Sequence, residues 1–235
     1  MPSNDPHKPV KVLLTGFAPF LDITINPSWQ ICQFLQQHPP TNFTNIDLMI
    51  HPTPIPVSYH KMHALLPSLY EQYDPDIVIH LGLAAERHYF AMEKSAKRDG
   101  YHDVPDEDRR VWTRGEGKKF WGKEKERLET DLDLDSAVNT WKSSVAGMRH
   151  SLPPSSASNA SQTASASASE MQVDVKQSDD VGSYVCGFLY FGSLLEMEKR
   201  KKKRDVVFLH VPGLEGVKEV EIGARVVEAA VEGLV

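Results

Sequence analysis

Cysteine is nearly absent: the 235 residues hold only Cys32 and Cys186. Two are too few for a disulfide framework or a cysteine-based zinc site, so both read as free thiols in a reducing compartment. No segment approaches the roughly 18 consecutive apolar residues of a membrane span. The opening stretch "MPSNDPHKPVKVLLTGF" carries no apolar run of signal-peptide length, and the expectation is a cytoplasmic protein without a membrane partner. An excess of basic residues is also missing. The formal charge is −6, which argues against nucleic acid or an anionic membrane surface as the partner. No glycine-rich phosphate loop is present. What is there is a 40% hydrophobic chain, long enough for one sizeable core, and the expectation is a single domain over 1–235.

Short apolar runs recur along the chain. "KVLLTGF" (11–17), a run within "IDLMIHPTPIPVSY", "DIVIHLGLA" (76–84) and "DVVFLHVPG" (205–213) read as buried strands. Helical spacing of Trp29, Cys32 and Leu35, with Asn26 as cap and Pro27 in the first turn, predicts a helix to about His38. Cys32 is then a core residue. "KMHALLPSLYEQY" supplies a second helix and "EVEIGARVVEAAVEGLV" an amphipathic closing one. Strands alternating with helices indicate an α/β fold with a largely parallel sheet, whose functional loops lie at the strands' carboxyl ends.

Two stretches depart from this pattern. Residues 151–172, "SLPPSSASNASQTASASASEMQ", are mostly Ser and Ala and bury too little area to offset their ordering entropy, so a disordered surface insertion is expected. "EKRKKKRD" (198–205) is basic throughout its middle. Nuclear import or an acidic partner is one reading of the run; the favoured one is a solvated helix end, where cations suit the helix dipole.

In "DDVGSYVCGFLYFG" (179–192) a helix starting near Val181 or Gly182, capped by Asp179 or Asp180, places Cys186 within its first two turns. The partial positive charge there favours a thiolate. The apolar residues that follow give a helix buried on most sides, and on those grounds alone a structural cysteine is the better reading. A base changes the balance. His210, near the carboxyl end of the last strand and just before "VPG", can meet a helix that starts at the same sheet edge, giving the pair that thiol catalysis needs. Glu93, after another strand in "GLAAERHYFAMEKSA", is the candidate to orient the imidazole, with a surface glutamate or a salt-bridge partner as the alternative.

Four segments in order, "LLTGFAPFLDITINPSW", "IHLGLAAERHYFAMEKSA", "SDDVGSYVCGFLYFGSL" and "VFLHVPGL", resemble the pyroglutamyl peptidase type I (pyrrolidone-carboxylate peptidase) family. The likeness covers roughly residues 10–105 and 176–232. It implies a three-layer α/β/α sandwich with a mixed, largely parallel central sheet, and a catalytic triad of Glu93, Cys186 and His210. It implies a cysteine exopeptidase acting on peptides with an N-terminal pyroglutamate, with no metal or cofactor. By the same resemblance Phe17 and Phe20 pack on the lactam ring, the backbone of Leu83 hydrogen-bonds it, and Val185 closes the wall. Asn26 matches a family asparagine, but its role as a helix cap explains it equally well. The chain departs from the family in a longer, more charged segment from Lys97 to Val138, in Arg98 where asparagine is common, and in Gly187 where a polar residue is usual. A catalytically idle module that binds pyroglutamyl N-termini is the alternative function. A nucleoside phosphorylase-like enzyme rests on fold analogy alone and lacks its phosphate loop.

Overall fold

The computed structural model describes residues 8–151, 170–201 and 203–235. Along the chain the first elements are β1 (Val10–Gly16), α1 (Pro27–Gln37), β2 (Ile46–Ile50), α2 (Tyr59–Tyr73), β3 (Ile77–Leu83), β4 (Phe90–Glu93) and β5 (Ser95–Lys97). Then come α3 (Arg114–Trp121), β6 (Arg127–Glu129), α4 (Leu134–Ser144), β7 (Arg149–Ser151), β8 (Glu170–Gln172), β9 (Val175–Ser178), α5 (Val185–Lys201), β10 (Val206–Val211) and α6 (Val217–Leu234).

The central sheet has the order β2-β1-β3-β10-β4-β9. The first four strands are parallel, β4 runs against β10, and β9 runs with β4. The connection 84–89 is too short for a parallel crossover, which needs about a dozen residues or more, so β4 turns straight back into the sheet. Strand alternation sorts the core into two layers. Val12, Leu14, Ile79, Leu81, Val207 and Leu209 pack with α1, α4 and α6 on one face. Leu13, Phe17, Val78, Val206 and Phe208 pack with α2 and α5 on the other. The expected three-layer mixed sandwich is the architecture observed.

Three local features decide how the site is presented. Asn26 caps α1 as expected, its Oδ1 accepting from the Ser28 N–H at 3.1 Å. The same pair holds the loop after β1: Asn26 Nδ2 donates to the Ala18 carbonyl and the Phe17 N–H donates to Ser28 Oγ. The long charged segment folds into β5, α3 and β6, with α3 closed by a capping box between Thr113 and Glu116. Residues 152–169, most of the insertion expected over 151–172, lie outside the described residues. Ser151 and Glu170–Gln172 belong instead to the β7–β8 antiparallel ladder, so those flanks are paired strand. In the basic run Lys201 pairs with Asp74, and Arg204 with Asp131 and Glu198, in keeping with a solvated helix end.

Candidate active site

Alternation along β10 gives His210 the same face as Phe208, the face covered by α2 and α5. Its partner across the ladder is Gly82 on β3. Glu93 ends β4 opposite Phe208, so it reaches His210 along the diagonal of an antiparallel pair. His210 Nδ1 and Glu93 Oε1 are 2.8 Å apart. A carboxylate accepts here, so Nδ1 carries the proton, and in the neutral imidazole Nε2 keeps its lone pair.

Glu93 is fully buried, which excludes a surface glutamate, while the other alternative, a salt-bridge partner, is met by its ion pair with Arg87. Burial alone would raise its carboxyl. The hydrogen bond and charge of His210, then the bonds from Arg87 and Ser178, outweigh that and hold Glu93 below the usual carboxylate range. Arg87 Nη1 donates to Oε1 at 2.6 Å and the Asp180 N–H donates to Oε2 at 2.9 Å. The Tyr190 hydroxyl, one turn after Cys186 on α5, donates to the Glu93 backbone carbonyl at 2.8 Å.

α5 begins at Val185, three to four residues later than the sequence pattern predicts. The two acidic residues expected to cap it are used elsewhere: Asp179 receives bonds from Ser95 and Arg127, and Asp180 meets Glu93 and Arg87 through its backbone. Cys186 is therefore the second residue of the helix. Its Sγ lies 3.2 Å from the place a Cβ on Gly82 would take. Because Gly82 is the ladder partner of His210, the thiol and the imidazole occupy one end of one face. Glycine at 82 leaves room for the thiol; any side chain there would run into Phe208. Gly187 also has a steric reason, since a Cβ would collide with the Gly182 carbonyl.

The helix-start argument for a thiolate is overturned by desolvation. Burial pushes the Cys186 thiol up to about 12, with the Glu93 carboxylate adding and the Arg87 guanidinium opposing. One helix end offers only a partial charge, and here it loses to the cost of an anion against an apolar wall. For this thiol to act as a nucleophile, a base would have to remove its proton. Cys32, by contrast, is fully buried on the opposite face, against the place a Cβ on Gly16 would take.

Of the expected wall residues, Phe17 is buried with its ring 6.3 Å from that of Phe208, and Phe20 lies 6.5 Å from Tyr184. Val185 is buried in the same cluster. Tyr184 and Tyr59 are held from the charged segment: the Tyr184 hydroxyl donates to the Pro105 carbonyl and the Tyr59 N–H donates to Asp106. Leu83, the last residue of β3, faces away from these rings by strand parity. It borders a groove of about 590 Å³ with Ile23, Ile25, Ala85, Leu214 and Val217. Only its backbone can therefore serve the side on which Cys186 lies. Among the described residues no cluster of three or more His, Cys, Asp or Glu side chains is arranged to hold a metal ion.

Sequence reasoning passed over Arg87 and Tyr190. Arg87 precedes its partner by six residues across a turn, a spacing no helix or strand period flags. Tyr190 sits four residues after Cys186, which places it over the same neighbours on α5.

A thiol at a helix start, with a buried carboxylate–imidazole pair at the adjoining strand ends, is the composition of a cysteine-type hydrolase site on an α/β/α fold. The family profile described as Pyroglutamyl peptidase matches residues 10–116. The chain is 25% identical to pyroglutamyl-peptidase 1 of Homo sapiens over 221 residues, 94% of this chain and 88% of that protein. It is 28% identical to a pyrrolidone-carboxylate peptidase of Bacillus cereus (strain B4264) over 208 residues, 86% of this chain and 78% of the relative. The fold matches the crystal structure of pyroglutamyl peptidase I from Bacillus amyloliquefaciens with a TM-score of 0.71 at 20% identity, covering 96% and 95% of the two chains. The pyrrolidone carboxyl peptidase from Thermococcus litoralis gives 0.68, also at 20% identity, over 96% and 93%. The chain is thus similar to pyroglutamyl peptidases in sequence and in fold.

Proposed function

We propose that the protein is a cysteine exopeptidase that hydrolyses the bond after an N-terminal pyroglutamyl residue, with Cys186 as nucleophile, His210 as general base and acid, and Glu93 as the group that orients the imidazole. The observation that carries this reading is the buried Glu93–His210 hydrogen bond directed at the strand end where the Cys186 thiol lies against Gly82. His210 Nε2 takes the thiol proton as Sγ adds to the pyroglutamyl carbonyl carbon. Backbone N–H groups at Val185 and Cys186, unpaired within the helix as first-turn donors, stabilise the oxyanion. The imidazolium then gives its proton to the leaving amine as the C–N bond breaks. Water, deprotonated by the same nitrogen, hydrolyses the thioester, releasing pyroglutamate and the free thiol.

The lactam is compact, uncharged and mostly apolar, with one N–H and one C=O. Phe17, Phe20 and Val185 are apolar surfaces of a kind that suits such a ring, and the backbone of Leu83 supplies the polar complement. The partners are peptides with an N-terminal pyroglutamate, and the domain spans 1–235 around the Ser/Ala-rich insertion. No helix of the described residues is long and apolar enough to cross a membrane. The net charge of −6 and the two free thiols support a cytoplasmic location without a nucleic-acid partner.

The test is parallel hydrolysis of pyroglutamyl, prolyl and glutamyl chromogenic amides. Proline has the ring but not the C=O, and leaves the donors that meet it unpaired at roughly 1–3 kcal/mol per group. A glutamyl terminus brings charges that an apolar pocket refuses. Both should react far more slowly. Equal rates on pyroglutamyl and prolyl amides remove the Leu83 contact; binding without turnover of any of the three establishes the idle module instead.

A further inference from the structure

We propose that Arg87 is a positioning residue of this site: its guanidinium locks the Glu93 carboxylate to the segment leading into α5, so that Glu93 orients the His210 imidazole without holding a proton on it. The inference rests on the roles given above to Glu93, Cys186 and His210.

Arg87 lies in the short connection between β3 and β4. The connection is itself fixed, with the Ala84 N–H donating to the Val211 carbonyl and the Arg87 N–H to the Ala84 carbonyl, both at 2.9 Å. From there Nη1 reaches Glu93 Oε1 at 2.6 Å and Nη2 reaches the Asp180 carbonyl at 2.6 Å. The Asp180 N–H in turn donates to Glu93 Oε2 at 2.9 Å. Three bonds thus close a ring through Glu93, Arg87 and Asp180. Asp180 stands five residues before the first residue of α5, so the ring ties the acid of the site to the strand-to-helix segment that delivers the thiol. An ordinary surface ion pair has no such closure, and here the carboxylate is fully buried and the guanidinium side chain only 17% exposed.

Charge gives the ring its second consequence. Arg87 and His210 share one oxygen, Glu93 Oε1. A buried carboxylate with the imidazole as its only cationic partner favours the imidazolium, and an imidazole already protonated cannot accept the thiol proton. The guanidinium answers part of that charge and repels a second cation beside it. The remaining ionisable groups around His210 do not replace it. α5 brings the Cys186 thiol, β3 brings Gly82 opposite and His80 only two residues deeper, and the Asp180 carboxylate is exposed, 4.0 Å from Arg87 Nη2. The structure therefore asks for one fixed cation at Glu93, and Arg87 is that cation.

The experiment compares the full-length wild type with R87M, R87Q and R87K, and with R127M as control. Arg127 pairs with Asp179 in the same segment but does not touch Glu93. In R87M the acid limb of kcat/KM should move to higher pH by about 1 unit. The plateau kcat should fall about tenfold or more, with KM within about twofold, as expected of a residue that acts through Glu93. R87Q keeps a donor for the Asp180 carbonyl but no charge and should show the same shift, which also covers poor folding of R87M. R87K should recover most of the limb, and R127M should leave it in place. Nitrogen NMR of labelled imidazole follows the His210 protonation midpoint without turnover, and it should rise in R87M and R87Q in step with the limb. Superimposable limbs and midpoints in wild type, R87M and R87Q overturn the proposal, as does a rise in KM at constant kcat. A wild type that does not hydrolyse pyroglutamyl amides defeats the functional reading instead, and the NMR midpoints still decide the question for Arg87.

Discussion

Two histidines on neighbouring strands face the same helical layer and have opposite surroundings. His80 lies in the middle of β3, fully buried, with Nδ1 2.7 Å from Thr15 Oγ1 and Nε2 2.7 Å from Ser193 Oγ. Ser193 is bonded onward to the Tyr70 hydroxyl. Every partner is a neutral hydroxyl, and burial lowers His80 to about 3. His210 stands at the end of β10 with a carboxylate on Nδ1 and a thiol nearby. Both are almost removed from solvent, so burial does not separate a strut from a base. The charge of the partner and the distance from the strands' carboxyl edge do.

The largest expected effects break this contrast directly. Cys186→Ala and His210→Ala should each lower kcat by on the order of 10³-fold or more while the fold persists, because members of such a unit fail together. His80→Phe should keep the pH profile and most of the activity. It strands the Thr15 hydroxyl and one bond of Ser193, costing about 2 kcal/mol of stability. Steady-state kinetics with denaturant unfolding on all three variants separates the roles. Loss of turnover in His80→Phe without loss of stability would mean that the inner histidine takes part in the chemistry.

The two cysteines sharpen the same comparison. Cys186 should be alkylated and Cys32 spared, since Cys32 is fully buried and its thiol is pushed up by desolvation alone. In His210→Ala, with no base at hand, the alkylation rate at Cys186 should climb about tenfold per pH unit, without a plateau below pH 10. The reason is that the thiolate is the reactive form and burial places its ionisation at about 12. Peptide mapping of iodoacetamide-treated protein reads both. A plateau near neutral pH would mean that the helix start outweighs desolvation.

"VIHLG" and "FLHVPG" read alike as apolar strands carrying a histidine and ending near a glycine. The pattern by itself does not rank the two histidines. The Pro-Gly after His210, a chain leaving the sheet, was the one local cue. The bounds of β1 and β3 to within a residue and the Asn26 cap were legible because apolar runs and capping are short-range, whereas β4 and β9 were not read as strands and the layers rested on the family resemblance. The start of α5 was not legible. Its expected caps, Asp179 and Asp180, are held by Ser95, Arg127, Arg87 and Glu93, partners far away in sequence. The burial of Glu93 was hidden for the same reason: it follows from β4 reversing into the sheet, a decision of topology.

pH divides between the histidines in a way that stability can read. His80 is neutral when folded down to about 3 and takes a proton near 6.5 when unfolded. The unfolded state binds more protons across that window, so stability falls as pH drops from 6.5 toward 3, by up to about 1.4 kcal/mol per unit. Glu93 adds to the acid side only, since a carboxyl held below 4.5 contributes stability above that value and loses it as pH falls through the folded value. Between pH 6.5 and 5 the slope should therefore be shallower in His80→Phe than in the wild type, by urea unfolding at fixed pH steps. Equal slopes in wild type and His80→Phe would mean that His80 is charged in the folded protein.

The smallest effect belongs to the opposite face of the sheet. β7 and β8, which flank residues 152–169, are tied to α6 through the Ser151 N–H and Glu219 at 2.8 Å and through Lys218 and Glu170. Both histidines face the other layer, and so do Cys186 and Glu93. Replacing residues 152–169 by four residues of Gly and Ser keeps the ladder intact. Loop closure changes by only about 0.6 kcal/mol for each halving of length, so the variant should match the wild type in stability to within about 1–2 kcal/mol. Its kcat/KM, its pH limb and the slope assigned to His80 should all be unchanged. A shift of the limb in this variant would show that the insertion reaches the strand ends from the far layer, and the separation of the two faces argued from strand parity would fail.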